Sequence, residues 1–138
     1  MAKKAESLAD QKRCFRAMNA LRPHLTEESF LQLLEKMKSE NYHLIYTEEA
    51  GEPVAVCGFR YITSLFEGSY IYIDDLSTLP DFQGKGYGDQ LFQYVVNLAK
   101  KEGLNAVHLD SGHHRYDAHR FYLKHGMNIV YHHFRLGL

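Results

Sequence analysis

A strand, a glycine-rich loop and a helix follow one another between residues 70 and 101, and this succession constrains the fold more than any other part of the chain. Residues 70–79 are rich in β-branched and aromatic side chains, which predicts a strand. The loop QGKGYG, residues 83–88, comes next, and apolar side chains then recur at helical spacing up to Lys101. In such a unit backbone N–H groups point outward at the positive end of the helix dipole, where they bind anions such as phosphate. The stretch predicts an anion-binding loop, with a merely flexible connection as the alternative.

The hydrophobic pattern elsewhere predicts further helices and strands. In chain order we predict helices at 8–21 and 27–37, strands at 43–47, 54–62 and 70–79, a helix ending at 101, a strand at 105–110, a helix at 117–125 and a strand at 127–136. The early strands pair as antiparallel hairpins, whereas each strand–helix–strand unit requires a crossover. The sequence therefore predicts an α+β fold with a single mixed, mostly antiparallel twisted sheet flanked by helices.

Two single residues add local predictions. Thr26 stands just before an apolar helical pattern and is followed by two glutamates, which is typical of a helix N-cap. Gly58 lies inside a predicted strand, where glycine indicates a bend or a bulge.

Charge and composition exclude some function classes. Sixteen basic and seventeen acidic side chains give a net charge of −1, which leaves no overall electrostatic footprint for nucleic acid. The basic residues near the N-terminus are expected to form a solvated helix face. No segment resembles a signal peptide or a membrane span, and Cys14 and Cys57 are expected to be buried, reduced thiols, so we expect a cytoplasmic protein. The nine histidines show no zinc-binding spacing, so no metal site is predicted.

Two short patterns lie about thirty residues apart. The first, Q-x-x-G-x-G, consists of Gln83, Gly86 and Gly88. The second, A-x-x-x-Y-x-x-x-G, consists of Ala118, Tyr122 and Gly126. Together with the order of the predicted elements, they resemble the acetyl-CoA signature and a following element of the GNAT N-acetyltransferase superfamily. The resemblance implies one N-acetyltransferase domain over residues 1–138, with acetyl-CoA as co-substrate.

The resemblance also implies which residues hold acetyl-CoA. The pyrophosphate cradle would be formed by Gln83, Gly84, Lys85, Gly86, Tyr87 and Gly88. The pantetheine arm would lie along the main chain of Leu76, Ser77 and Thr78, as an added strand does. Ser111 is a further candidate for contact with the pantetheine or the acceptor.

Acetyl transfer to an amine requires an acid for the departing thiolate and a group that receives the amine proton. Tyr122 is the candidate acid, because a phenol with a pKa of about 10 carries a proton at neutral pH. Asp74 and Asp75 are adjacent in a predicted strand, so their side chains are expected to face opposite sides. We favour Asp75 as base or as the anion that attracts a cationic amine, with His108 and His113 as alternatives, so the identity of the base stays open.

The acceptor is the least determined part of the prediction. We expect a primary amine of a small molecule, with Arg22 and His24 among the residues that wall its site. The alternatives are a protein amine and a non-catalytic sensor of acyl-CoA. No nucleic acid or membrane partner is expected, and a homodimer is expected only by analogy.

Overall fold

The structure is a computed structural model that describes residues 1–138, in two compact units, Met1–His108 and Leu109–Leu138. The strands are β1 (Lys3–Lys4), β2 (Tyr42–Glu49), β3 (Glu52–Ser64), β4 (Gly68–Thr78) and β5 (Val107–Leu109). The helices are α1 (Leu8–Leu21), α2 (Glu27–Met37), α3 (Tyr87–Lys101) and α4 (Tyr116–Lys124). None of the helices is both long and apolar enough to span a membrane.

The five strands form one sheet in the order β1-β2-β3-β4-β5. The first four strands are paired antiparallel. The Asn105 N–H donates to the Ser69 carbonyl at 2.9 Å and the Ile71 N–H donates to the Ala106 carbonyl at 3.1 Å, so the segment leading into β5 runs parallel to β4. The predicted mixed, mostly antiparallel α+β sheet is confirmed.

β1 was not predicted from the sequence. Lys3 and Lys4 pair with Tyr46 and Ile45 of β2. Lysine is a poor strand former, so no local pattern marks this strand, and it exists because the edge of β2 offers backbone partners. A short, charged edge strand also discourages pairing with another chain.

The predicted last strand, at 127–136, does not form. This segment has no regular secondary structure. Its apolar side chains are exposed, for example Ile129 at 77% and Phe134 at 91%. The prediction was wrong because β-branched and aromatic residues favour a strand only where a pleated, half-buried surface receives them. The predicted strand at 105–110 is also shorter than expected.

The helix boundaries follow the local sequence. The Thr26 Oγ1 accepts from the Ser29 N–H at 3.1 Å, and the Ser29 Oγ accepts from the Thr26 N–H at 2.9 Å, which confirms the predicted N-cap of α2. Helix α1 buries Cys14, Ala17 and Met18. Helix α3 buries its own apolar stripe, Leu91, Phe92, Val95 and Ala99. Both cysteines are buried free thiols, as expected.

The second unit contains α4, which ends at a glycine as predicted. Gly126 has φ +83°, a left-handed conformation that favours glycine. The Met127 N–H donates to the Tyr122 carbonyl at 3.1 Å and thereby satisfies a carbonyl of the last turn. At the start of the helix, a ring nitrogen of His119 lies 2.8 Å from the Gly112 carbonyl oxygen.

Candidate functional site

A bulge in β4 brings two carboxylates into one cleft. Gly58 of β3 pairs with Asp75 and Phe59 pairs with Ile73, so Asp74 is an extra residue without a partner in β3. Asp74 and Asp75 both line the same cleft. The irregularity predicted at Gly58 is confirmed, whereas the expectation that the two carboxylates face opposite sides was wrong, because strict alternation is lost at a bulge.

Asp75 is held by two side chains. The Arg22 Nε donates to Asp75 Oδ1 at 3.0 Å, and the Tyr42 hydroxyl donates to Oδ2 at 2.8 Å. The Asp75 side chain is only 11% exposed, and this burial raises its pKa above the ordinary value, although both hydrogen bonds act in the opposite direction. Burial, followed by the charge of Asp75, raises the pKa of Tyr42 well above its ordinary value, so the phenol is a permanent donor.

Asp74 has its own cationic partner. Arg60 donates from Nε to Oδ1 at 3.0 Å and from Nη2 to Oδ2 at 2.5 Å, which is a two-point contact. Arg22 donates to the Asp74 carbonyl oxygen from Nη2 at 3.0 Å, and so ties the end of α1 to the bulge. Neither Tyr42 nor Arg60 was predicted for this site, since they reach it from β2 and β3 and no local motif marks them.

Gly58 makes room for the Tyr42–Asp75 hydrogen bond. A Cβ on Gly58 would lie 1.7 Å from the Tyr42 hydroxyl oxygen and 2.8 Å from Asp75 Oδ2. Both distances are far below van der Waals contact. Glycine at this position is therefore required by the close packing of Tyr42 and Asp75 around it.

The carboxylates lie in a cleft of about 410 Å³. Arg22 and His24, which were predicted to wall the acceptor site, both line it. Tyr42 and Tyr72 also contribute to its polar part. The rest of the lining is apolar and comes from α1, α2 and the segment between them: Met18, Leu25, Phe30, Leu33, Leu34 and Met37.

The glycine loop at the start of α3 has the geometry expected of an anion cradle. Gly84 and Gly86 have φ of +79° and +87°, in the left-handed region that only glycine adopts readily. No side chain caps α3, and its first hydrogen bond runs from the Gln90 N–H to the Gly86 carbonyl at 3.0 Å. The N–H groups of Tyr87 and Gly88 therefore have no acceptor within the helix.

Two polar side chains of the loop, Lys85 and Tyr87, contact the same carboxylate. The Tyr87 hydroxyl donates to Glu49 Oε1 at 2.8 Å, and this bond raises the pKa of Tyr87. The Lys85 Nζ lies 3.7 Å from the same oxygen and 4.9 Å from the centre of the Phe82 ring. The Lys85 ammonium is thus held beside the loop while about half of the side chain stays exposed.

The end of β4 leads directly into this loop. The Gln83 side chain donates to the Thr78 carbonyl at 3.3 Å. The Ser77 hydroxyl is buried and donates to the Ala17 carbonyl of α1 at 2.8 Å, so only its main chain remains for a ligand. The first unit therefore contains, within one short stretch of chain, Asp75, residues 76–78 and the loop at 83–88.

Tyr122 and Ser111 belong to the second unit, in α4 and in the segment before it. Both side chains are half-buried. Of the two histidines named as alternative bases, His108 lies in β5, 3.5 Å from Glu67 Oε1, and His113 is exposed. The roles of these four residues stay predictions.

Sequence comparison assigns the chain to a family. The model of the acetyltransferase (GNAT) family matches residues 5–127. The chain is 41% identical over 106 residues to the uncharacterized N-acetyltransferase YhdJ of Bacillus subtilis, a match that covers 76% of this chain and 75% of that protein. It is 31% identical over 87 residues to the aminoalkylphosphonate N-acetyltransferase of Salmonella typhimurium, covering 62% of this chain and 56% of that enzyme.

Solved structures share the fold at low identity. A transcriptional regulator from Bacillus halodurans matches with a TM-score of 0.87 at 20% identity, covering 100% of this chain and 99% of the other. Glucosamine-6-phosphate N-acetyltransferase from Arabidopsis thaliana matches with a TM-score of 0.78 at 20% identity, covering 99% and 97%. With the family match and the relative at 41% identity, these findings show that the chain belongs to the GNAT acetyltransferase family and is an N-acetyltransferase.

Proposed function

We propose that this enzyme transfers the acetyl group of acetyl-CoA to the primary amine of a small molecule. The observation that carries the proposal is the layout of β4 and α3. One strand presents a pair of carboxylates to a cleft and then runs into a loop with free amides at a helix N-terminus. In this proposal the cleft is the acceptor site, the loop is the phosphate site, and residues 76–82 connect them.

The loop residues fit the diphosphate of CoA. The left-handed glycines orient successive N–H groups, and the N-terminus of α3 adds its positive dipole. Lys85 adds a positive charge that Glu49 partly offsets. The main chain of Leu76–Thr78 would align the pantetheine arm, and one of its N–H groups would face the carbonyl oxygen that gains charge during transfer. Acetyl-CoA supplies an activated acetyl group when bound there.

On the acceptor side, Asp75 and Asp74 accept hydrogen bonds from the amine, while Arg22 and Arg60 balance their charges. Burial raises the pKa of Asp75, which makes this carboxylate a better proton acceptor than an exposed one. The Tyr42 and Arg22 contacts fix the orientation of the carboxylate. Tyr122 of the second unit is proposed as the acid that protonates the departing thiolate.

We also propose that the protein is cytoplasmic, that it forms a homodimer and that it has no nucleic-acid partner. The last of these is supported by ion pairing, because Lys3 and Arg13 both contact Glu48.

The proposal is tested by thiol release from acetyl-CoA with a panel of small primary amines, lysine-containing peptides and a no-amine control. Mass spectrometry would identify the acetylated product. We expect turnover with at least one small amine. Exclusive turnover of peptides would favour a protein acceptor, and tight CoA binding without turnover of any amine would favour a sensor.

A further inference from the structure

The cleft that contains Asp74 and Asp75 has a strongly divided surface. One side consists of carboxylates and their partners, and the other consists of the six apolar side chains from α1, α2 and their connection. Leu33 is 47% exposed and Leu25 and Met37 are half-buried, whereas Met18, Phe30 and Leu34 are buried, so Leu25, Leu33 and Met37 form the part of the apolar lining that is open to solvent. A ligand that covered it would gain the free energy of apolar burial.

The cations near the carboxylates are already engaged. Arg22 contacts the Asp75 carboxylate and the Asp74 carbonyl, and Arg60 contacts the Asp74 carboxylate at two points. A phosphate, phosphonate or carboxylate on the acceptor would have to compete with these carboxylates for the guanidinium groups. The two ion pairs also balance the charges of the carboxylates, so an additional cationic group finds no unpaired carboxylate there. His24, an exposed residue of the connection between α1 and α2, is the one basic side chain of the lining besides Arg22.

A second amine on the acceptor would also be poorly matched. The carboxylates of the lining are Asp74 and Asp75, which are adjacent in the bulge, and the lining contains no other acidic side chain. An ammonium group at the far end of a diamine would lie against leucine and methionine side chains, where a charge is unfavourable.

We propose that the acceptor is a monoamine with an apolar body and no further charged group, whose amino group lies at Asp74 and Asp75 while its chain or ring packs on Leu33 and Met37. This inference rests on the proposed function, since it names the substrate class of the same site. The proposed acceptor differs from the aminoalkylphosphonates for which one relative of this chain is named.

The test uses straight-chain amines from propylamine to hexylamine, with 1,6-diaminohexane and 2-aminoethylphosphonate as comparators. We measure kcat/KM at saturating acetyl-CoA and, separately, the Kd of each amine by calorimetry on the protein saturated with CoA. Each added methylene is expected to improve both quantities about fourfold until the cleft is filled. Hexylamine is expected to exceed both comparators at least tenfold.

A variant pair locates the effect in the cleft. Leu33→Ser is expected to weaken hexylamine through KM by about tenfold and to leave propylamine nearly unchanged. Leu8→Ser is the matched control, because Leu8 is a comparably exposed leucine of α1 that does not line the cleft. Equal effects of the two substitutions would overturn the assignment.

A series without dependence on chain length, or tighter binding of the diamine or the phosphonate, would overturn the inference. The binding series decides it independently of turnover. If no amine is acetylated but Kd improves with chain length, the proposed function fails while the apolar-amine site stands.

Discussion

Replacing Gly58 with alanine tests the close packing behind the carboxylate pair. The backbone of Gly58 is compatible with any residue, so the substitution acts only through the added methyl group. That group would overlap the Tyr42 hydroxyl oxygen at 1.7 Å and the ring carbon that bears it at 2.4 Å. The phenol must therefore move, and its hydrogen bond to Asp75 is lost.

The expected loss of stability follows from two penalties and one gain. Overpacking a buried site costs about 1–3 kcal/mol, and losing a hydrogen bond to a charged group costs about 1.5–3 kcal/mol. The two are partly alternatives, because a displaced phenol relieves the overlap. Alanine also lowers the conformational entropy of the unfolded chain, which stabilises the folded state by about 0.4–1 kcal/mol. Combining these terms, we expect Gly58→Ala to lower the free energy of unfolding by about 2–4 kcal/mol.

Urea denaturation of a double-mutant cycle with Tyr42→Phe measures this effect. Tyr42→Phe alone should cost about 1.5–3 kcal/mol, and much less in the Gly58→Ala background, where the hydrogen bond is already absent. Gly88→Ala is the control, since its Cβ would lie at an ordinary 3.5 Å from Thr78 Oγ1. Equal costs of Tyr42→Phe in both backgrounds would refute the reasoning.

Three further predictions concern charge, cofactor and acid. Because burial raises the pKa of Asp75 above 3.8, its contribution to stability is present below that pH and is lost as pH rises through the folded-state pKa. Urea titrations from pH 4 to 7 should show wild type losing stability relative to Asp75→Asn, and the opposite trend would mean that the Arg22 ion pair outweighs desolvation. Gly86→Val should weaken CoA binding at least tenfold by calorimetry, whereas Gly51→Val, with a similar φ of +81°, should suffer comparable backbone strain of about 1–3 kcal/mol without affecting CoA. Tyr122→Phe should lower kcat by about 10²–10⁴ with unchanged CoA affinity, and wild-type turnover would remove the phenol from the mechanism.

The elements that could be predicted are those whose signals are local. Helices α1, α2 and α3 follow from apolar spacing and from caps such as Thr26, and the loop before α3 follows from its glycines. Gly58 indicated an irregular strand because glycine weakens regular pairing. In each case the information lies within a few residues of the feature.

The features that were missed depend on partners distant in sequence. β1 forms only because β2 offers it an edge, and the segment at 127–136 lacks the partner that its composition calls for. The contacts of Asp75 with Arg22 and Tyr42 join residues 53 and 33 positions apart. No local pattern encodes such contacts, so the sequence indicated Asp75, Arg22 and His24 as residues of the site but not the hydrogen bonds that hold Asp75.

The bulge at Asp74 also has an evolutionary consequence. Pairing is regular on both sides of it, with Ile73 opposite Phe59 and Asp75 opposite Gly58. Loss of the single codon for Asp74 would make the pairing between β3 and β4 continuous and would keep every other residue pair of these two strands. The second carboxylate of the cleft can thus be gained or lost by one insertion or deletion, a route to a new acceptor that leaves the hydrophobic core and its side-chain alternation untouched.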